Sequence, residues 1–208
     1  MLTANRDLMH QARESLKGRW GLAVGGNVIY LVLFLAVQYI PKLGWIGGLI
    51  IGGPFFLGWS SFFLSLSRNQ EAQLSLLFDG FYRFGKALVT YLLMVLFILL
   101  WTLLFIIPGI MAYLSYSQTF FILVDNPQMD GREALRKSKI MMTGNRGKLF
   151  CLFWRFFGWF LLGILTLGIG FLWIIPYLAT TAAKFYDDLK REAIPSVMAG
   201  PVSQPVQP

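Results

Sequence analysis

A chain of 208 residues that is 56% hydrophobic and 13% charged, with a mean hydropathy of +0.61, is too apolar for a water-soluble fold, whose charged share is about 25%. The 18 Lys and Arg against 10 Asp and Glu give a net charge of +8, which in a soluble protein would raise nucleic-acid binding; here the charges lie outside long apolar blocks, so anionic lipid, not nucleic acid, is the expected partner. A single histidine, His10, and a single cysteine, Cys151, exclude an intramolecular disulfide and most metal sites, and no cofactor is expected.

In residues 3–17, Met9, Ala12, Leu16 and Trp20 recur at helical spacing with Arg6, Arg13, Glu14 and Lys17 off that stripe, the pattern of a helix lying on a membrane, ended by Gly18. A first span is predicted at about 20–40, an outer turn at Pro41, Lys42 and Gly44, and a second span at about 45–66, with Trp20, Tyr39 and Trp45 as interfacial aromatics. Mostly polar residues precede the first apolar run and no small-x-small site follows it, so that span is expected to be retained rather than cleaved. After the polar stretch 68–73, Leu77, Phe81 and Phe84 line one face of a second surface helix, and Ser75, Asp79 and Arg83 another. Residues 87–125 carry no charge before Asp125 and suffice for two spans, at about 87–105 and 108–125. The turn between them must be tight, with Pro108 and Gly109 marking the new helix start. Asn126 and Pro127 break that span, and Asp130 with Glu133 forms a capping-box-like start to a third surface helix, 131–143, with Leu135, Ser138 and Met142 on one face. Spans at about 148–166 and 171–186 follow, joined at Gly168, Ile169 and Gly170. Residues 1–190 form a single membrane domain, and 191–208 read as a disordered tail.

The predicted class is an all-α polytopic membrane protein: six transmembrane helices as three hairpins, each preceded by a cytoplasmic amphipathic helix. Sixteen of the eighteen Lys and Arg fall on one side of that topology, Lys42 and Arg155 being the others, so the positive-inside rule places both termini in the cytoplasm. The hairpins repeat a plan of surface helix, Gly with a basic residue (Gly18–Arg19, Gly85–Lys86, Gly147–Lys148), span, turn, and a span containing Pro54, Pro108 or Pro176, which suggests a degenerate threefold repeat.

No Ser/His/Asp set, Walker loop or dinucleotide fingerprint is present, so an enzyme is not expected and no catalytic residue is assigned. Arg155 is a charge inside the fifth span and is a candidate lipid-headgroup or partner contact, with snorkelling to the headgroups as the structural explanation. Asp79, Asp125, Asp187 and Asp188 sit at cytoplasmic boundaries, where pairing with Arg83 or Lys184, or plain solvation, accounts for them. Gly44, Gly48 and Gly52, at every fourth position, point to close helix packing. Ser60, Ser61, Ser115, Ser117, Gln118, Thr119, Thr180 and Thr181 are polar groups of the even-numbered spans and are expected to bond helix backbone; a pathway bounded by Ser115, Gln118 and Thr180 would favour a transporter.

The runs SLLFDGFYRFGKAL, FIIPGIMAYLSYS, REALRKSKIMMTGNRGKLF and GWFLLGILTLGIGFLWIIPYLATTAAKFYDDL resemble a bacterial membrane-protein family, the domain of unknown function nine-seven-five. A fainter likeness, in the Pro-Gly-Ile stretch and the Glu-Ala-Leu-Arg-Lys-Ser helix, is to the membrane domain attached to some bacterial glycerophosphodiester phosphodiesterases. The resemblance implies a bacterial cytoplasmic-membrane protein with no assigned activity. The function expected from the residues is non-enzymatic: Arg132, Arg136, Lys137 and Lys139 engaging anionic lipid or another membrane protein in envelope organisation, the alternative being a small-solute or lipid transporter or channel.

Overall fold

The computed structural model describes residues 2–38 and 44–198, with side chains described in those ranges except at 38, 44–46 and 193–198. The expected outer turn at Pro41 and Lys42, the interfacial Tyr39 and residues 199–208 lie outside them. Every regular element among the described residues is a helix. Helix α1 is Asn5–Leu16, α2 Trp20–Gln38 and α3 Gly44–Ser67; a 3₁₀ segment Leu74–Phe78 leads into the short α4, Asp79–Tyr82. Then come α5 Phe84–Leu104, α6 Ile106–Tyr116, α7 Thr119–Asp125, α8 Gly131–Met141, α9 Arg146–Leu165 and α10 Phe171–Met198.

Five stretches are long and apolar enough to cross a membrane, Trp20–Val37, Gly47–Ser67, Phe84–Leu104, Ile106–Asp125 and Arg146–Leu165, which marks the chain as a multi-pass membrane protein. They divide into two kinds. The second and fourth are 61% buried inside the protein, against 17%, 11% and 22% for the first, third and fifth. The buried ones therefore form the centre, and the others present Val32, Leu99, Leu103 and Leu165 outward. The two buried stretches each carry a proline, Pro54 inside α3 and Pro108 in the first turn of α6, and Pro176 lies within α10. Helices broken by proline tolerate apolar surroundings best where neighbours cover the freed backbone groups.

The turn between α5 and α6 is as tight as the sequence requires: only Phe105 lies between the helices, with extended backbone, its N–H bonding the Trp101 carbonyl. Leu167 and Gly168 take left-handed backbone (φ 53° and 90°) between α9 and α10, where the Gly168 N–H bonds the Gly163 carbonyl at 2.9 Å. Helix α10 does not stop at 186 but continues to Met198, carrying Asp187, Asp188, Lys190 and Arg191 beyond its apolar half.

Two expectations about the surface helices are corrected. The segment 74–84 is not one amphipathic helix: it is a 3₁₀ turn and a short α-helix pressed onto α3, so close that a Cβ at Gly80 would strike the Pro54 carbonyl and one at Gly58 the Leu77 carbonyl. Side chains at these two positions are excluded by backbone, which overrides the 3.6-residue period of the apolar positions. The capping box is also absent. Asp130 is the N-cap of α8, but its side chain makes no cap hydrogen bond.

Helix α1 buries Leu8, Ala12, Ser15 and Leu16 against the protein. Ser15 Oγ donates to the Ser67 carbonyl, Tyr177 Oη to the Met9 carbonyl, and Thr3 N and Oγ1 to the Asp188 carboxylate at 2.8 and 2.7 Å. One apolar core joins Leu57 and Leu64 of α3, residues 120–123 of α7, Ala134 of α8, and Ala183 and Tyr186 of α10. Packing of this kind between helix ends and connectors is what buries apolar area away from water.

Candidate functional site

Helix α8 is held against α5 and α6 by three local contacts. Gly131 lies where a Cβ would collide with the Thr90 hydroxyl, Lys86 Nζ donates to the Pro127 carbonyl at 2.7 Å, and the buried Ser138 Oγ donates to the Ser115 carbonyl at 2.7 Å. Ala134, Leu135 and Ser138 thereby face inward, and Arg132, Arg136, Lys137 and Lys139 are exposed. The Glu-Ala-Leu-Arg-Lys-Ser stretch alternates these roles because burial goes to its small or apolar members.

Three of those cations, Arg132, Arg136 and Lys139, fall at i, i+4 and i+7 and share one stripe of the helix. They rim a groove of about 450 Å³ whose floor is Leu93 and Phe97 of α5, Tyr116 of α6 and Leu135 of α8. A second groove of about 350 Å³ adjoins it along α6, walled by Trp101, Met111 and Ala112, and takes Lys139 and Arg146 as its cations. Tyr116 and Lys139 belong to both grooves. None of the four cations is ion-paired among the described residues. Such an arrangement, cations over an apolar trough that opens onto outward-facing helices, suits an anionic headgroup with its chain laid along α5.

The other expected residues are placed as follows. Lys137 is exposed and does not line the groove. Arg155 is exposed on α9, next in sequence to the exposed Trp154, and lines neither groove. Gly44 belongs to α3 but its contacts are not among those described; Gly48 has open space where a Cβ would stand, while a Cβ at Gly52 would stand only 2.9 Å from the Tyr91 ring. Helices α3 and α5 also approach closely at the neighbouring Gly53, where an added Cβ would strike the Ala87 carbonyl and stand 2.9 Å from Leu88 Cα. Arg146 was not singled out from the sequence; the signal available was its place three residues before the apolar run of α9, facing the end of the α8 stripe.

The acidic residues form a network at the same end of the molecule. Asp79 pairs with Arg83 at 3.2 Å. Asp125 and Asp187 do not use Lys184: both are gripped by Arg68, whose Nη1 and Nη2 donate to Asp125 at 2.7 and 2.8 Å, and whose Nη2 and Nε donate to Asp187 at 2.6 and 3.1 Å. Lys190 Nζ and Tyr186 Oη add bonds of 2.6 and 3.1 Å to Asp125. Hydrogen bonding to Asp125 foremost, opposed by burial and reinforced by Asp187, holds Arg68 above its ordinary pKa and hence charged at any working pH. Asp188 pairs with Lys148 at 3.4 Å.

Between α3, α6–α7 and α10 lies a cavity of about 240 Å³, touched by Ser60, Ser117 and Gln118 and otherwise walled mainly by aromatic and aliphatic side chains. Ser115 and Thr180 do not line it; their hydroxyls return to the carbonyls of Met111 and Pro176 in their own helices. Back-bonding of this type is the ordinary fate of such hydroxyls in apolar helices.

No curated protein and no solved structure matches the chain, and the fainter likeness to the phosphodiesterase-attached membrane domain is not shown. The profile of one family, described as protein of unknown function (DUF975), matches residues 1–115 and 102–193, so the chain belongs to that family.

Proposed function

We propose that this protein is a non-enzymatic, six-span component of the bacterial inner membrane that holds anionic phospholipid at the cationic stripe of α8, with both termini in the cytoplasm. The observation that carries the lipid reading is the stripe Arg132, Arg136 and Lys139, unpaired among the described residues and set over a trough of Leu93, Phe97 and Tyr116. Each cation near an anionic headgroup contributes on the order of 1 kcal/mol, and the trough adds apolar contact for a chain. A sixth crossing is favoured by the hydrogen bonds of Thr3 to Asp188, which bring the start of α1 and the C-terminal half of α10 to one end of the molecule. Five crossings would leave them on opposite faces. The basic excess at that end supports the cytoplasmic assignment. Three hairpins, each with a short helix packed under it, remain the best description of the plan and of its degenerate repetition.

Reconstitution in neutral nanodiscs doped with phosphatidylglycerol, followed by native mass spectrometry, tests the lipid reading. The wild type is expected to retain the anionic lipid over the neutral one, and R132Q/R136Q/K139Q to lose that excess. Equal retention of both lipids by the wild type would refute it.

The transporter reading rests on the cavity at Ser60 and Gln118. It ranks second because the polar lining is sparse and Ser115 and Thr180 are turned back into their helices. Flux of a lipid or solute across vesicles carrying the protein, abolished by Gln118→Leu, would reverse the order.

A further inference from the structure

We infer that the two adjoining grooves form one composite site selective for a phospholipid with two phosphodiester groups joined by a glycerol, the cardiolipin class, over lipids with a single phosphate; this rests on the anionic-lipid reading above. The grooves are not independent, since Lys139 and Tyr116 border both. Their cations are divided between them: Arg132 and Arg136 at one end, Arg146 at the other, and Lys139 between. One phosphodiester can neutralise one end only, and leaves the remaining guanidinium facing an apolar trough with no counter-ion.

Arg146 carries that point furthest. It begins α9, pairs with no described acidic residue, and its Nε is buried without an acceptor among the described residues. An uncompensated, half-buried guanidinium is costly unless an anion meets its outer nitrogens. The apolar floors are likewise two. Leu93, Phe97 and Trp101 lie at i, i+4 and i+8 of α5 and run about 12 Å along the helix, while Met111 and Ala112 continue the second trough along α6. A headgroup that straddles Lys139 would send chains down both.

The test is a competition on the full-length protein in nanodiscs of neutral lipid, doped with cardiolipin or phosphatidylglycerol at equal phosphate content and read by native mass spectrometry. The wild type is expected to retain cardiolipin at least about tenfold over phosphatidylglycerol. In R146Q the preference should fall to about onefold while phosphatidylglycerol retention stays within about twofold. In R132Q/R136Q both lipids should be lost, and K17Q, at the exposed residue that caps the C-terminus of α1, should match the wild type. R146K keeps the charge but not the planar fork and should give an intermediate preference, which separates ligand contact from a folding defect; melting temperatures of all variants are measured alongside. Equal retention of the two anionic lipids, both lost in R132Q/R136Q, would overturn the two-phosphate inference and leave the anionic-lipid reading standing. Persistence of the cardiolipin preference in R146Q would overturn it as well. Retention of neither over the neutral lipid would remove both.

Discussion

Replacing Arg68 is expected to be the most damaging single change at the charged end of the protein. The guanidinium spans Asp125, at the end of α7, and Asp187, on α10, with the side chains of the two acids only 8% and 17% exposed. Arg68→Met leaves two carboxylates facing each other, Asp125 keeping Lys190 and Tyr186 while Asp187 loses its partner. Removing one member of a buried ion pair costs about 3–5 kcal/mol. The lower end applies because Arg68 is itself a quarter exposed and Lys190 remains, so about 3 kcal/mol is the expected loss. For a chain of this length each kcal/mol shifts the melting temperature by about 2–4 °C, giving a drop of about 6–12 °C in detergent solution. Arg68→Lys should recover only part, since an ammonium lacks the planar fork that gives each acid two bonds. Adding Asp187→Asn to Arg68→Met should restore about 1–2 kcal/mol by removing the orphaned charge. Thermal unfolding followed by near-ultraviolet circular dichroism measures all three. A melting temperature for Arg68→Met within about 2 °C of wild type would show that the network holds nothing together, and equality of Arg68→Lys with wild type would show that the charge suffices without the guanidinium fork.

Three further outcomes are expected. Gly58→Ala places a methyl against the Leu77 carbonyl and should cost about 1–3 kcal/mol of stability, whereas Gly48→Ala, with open space around it, should be neutral or slightly stabilising; paired melting curves distinguish them. Ser138→Ala removes the bond to the Ser115 carbonyl and should cost about 1 kcal/mol, with weaker anionic-lipid retention if α8 loosens from α6. Arg155→Leu should change neither stability nor lipid retention, because the side chain is exposed and lines neither groove.

How much of this could be read beforehand depended on the range of the interaction. Helix limits came through well because glycine, proline and charge mark them locally: the fourth span, expected at 108–125, is Ile106–Asp125, and the fifth, expected at 148–166, is Arg146–Leu165. The pairing of Asp79 with Arg83 was also legible, being an i,i+4 relation. Arg68 was not. Its acids lie 57 and 119 positions away, and nothing in local spacing distinguishes them from solvated boundary residues. The segment 74–84 misled for a different reason: its apolar positions fit a helix period, but close approach to α3 at Gly58 and Gly80 set its backbone. The stripe of α8 could be counted from the sequence, yet its separation from Lys137 and its meeting with Arg146 depend on which face Ser138 and Ala134 bury.

The division of labour along the molecule follows from the two solvents it meets. In hydrocarbon there is no hydrophobic gain from joining apolar helices, so close approach there depends on small residues, as where Gly52 and Gly53 meet α5. At the charged end, water is available, and burying Phe62, Phe63, Ile122 and Phe185 is favourable in itself. That layer can therefore be built like a soluble core, with α1 and α8 covering it and Arg68 cross-linking its helix ends. The grooves beneath α8 sit at the seam between these regimes, where a cationic rim from the one meets an apolar floor from the other. A phospholipid has the same division between head and chain, and for that reason the lipid site is proposed at this seam rather than at the aromatic cavity between the central helices.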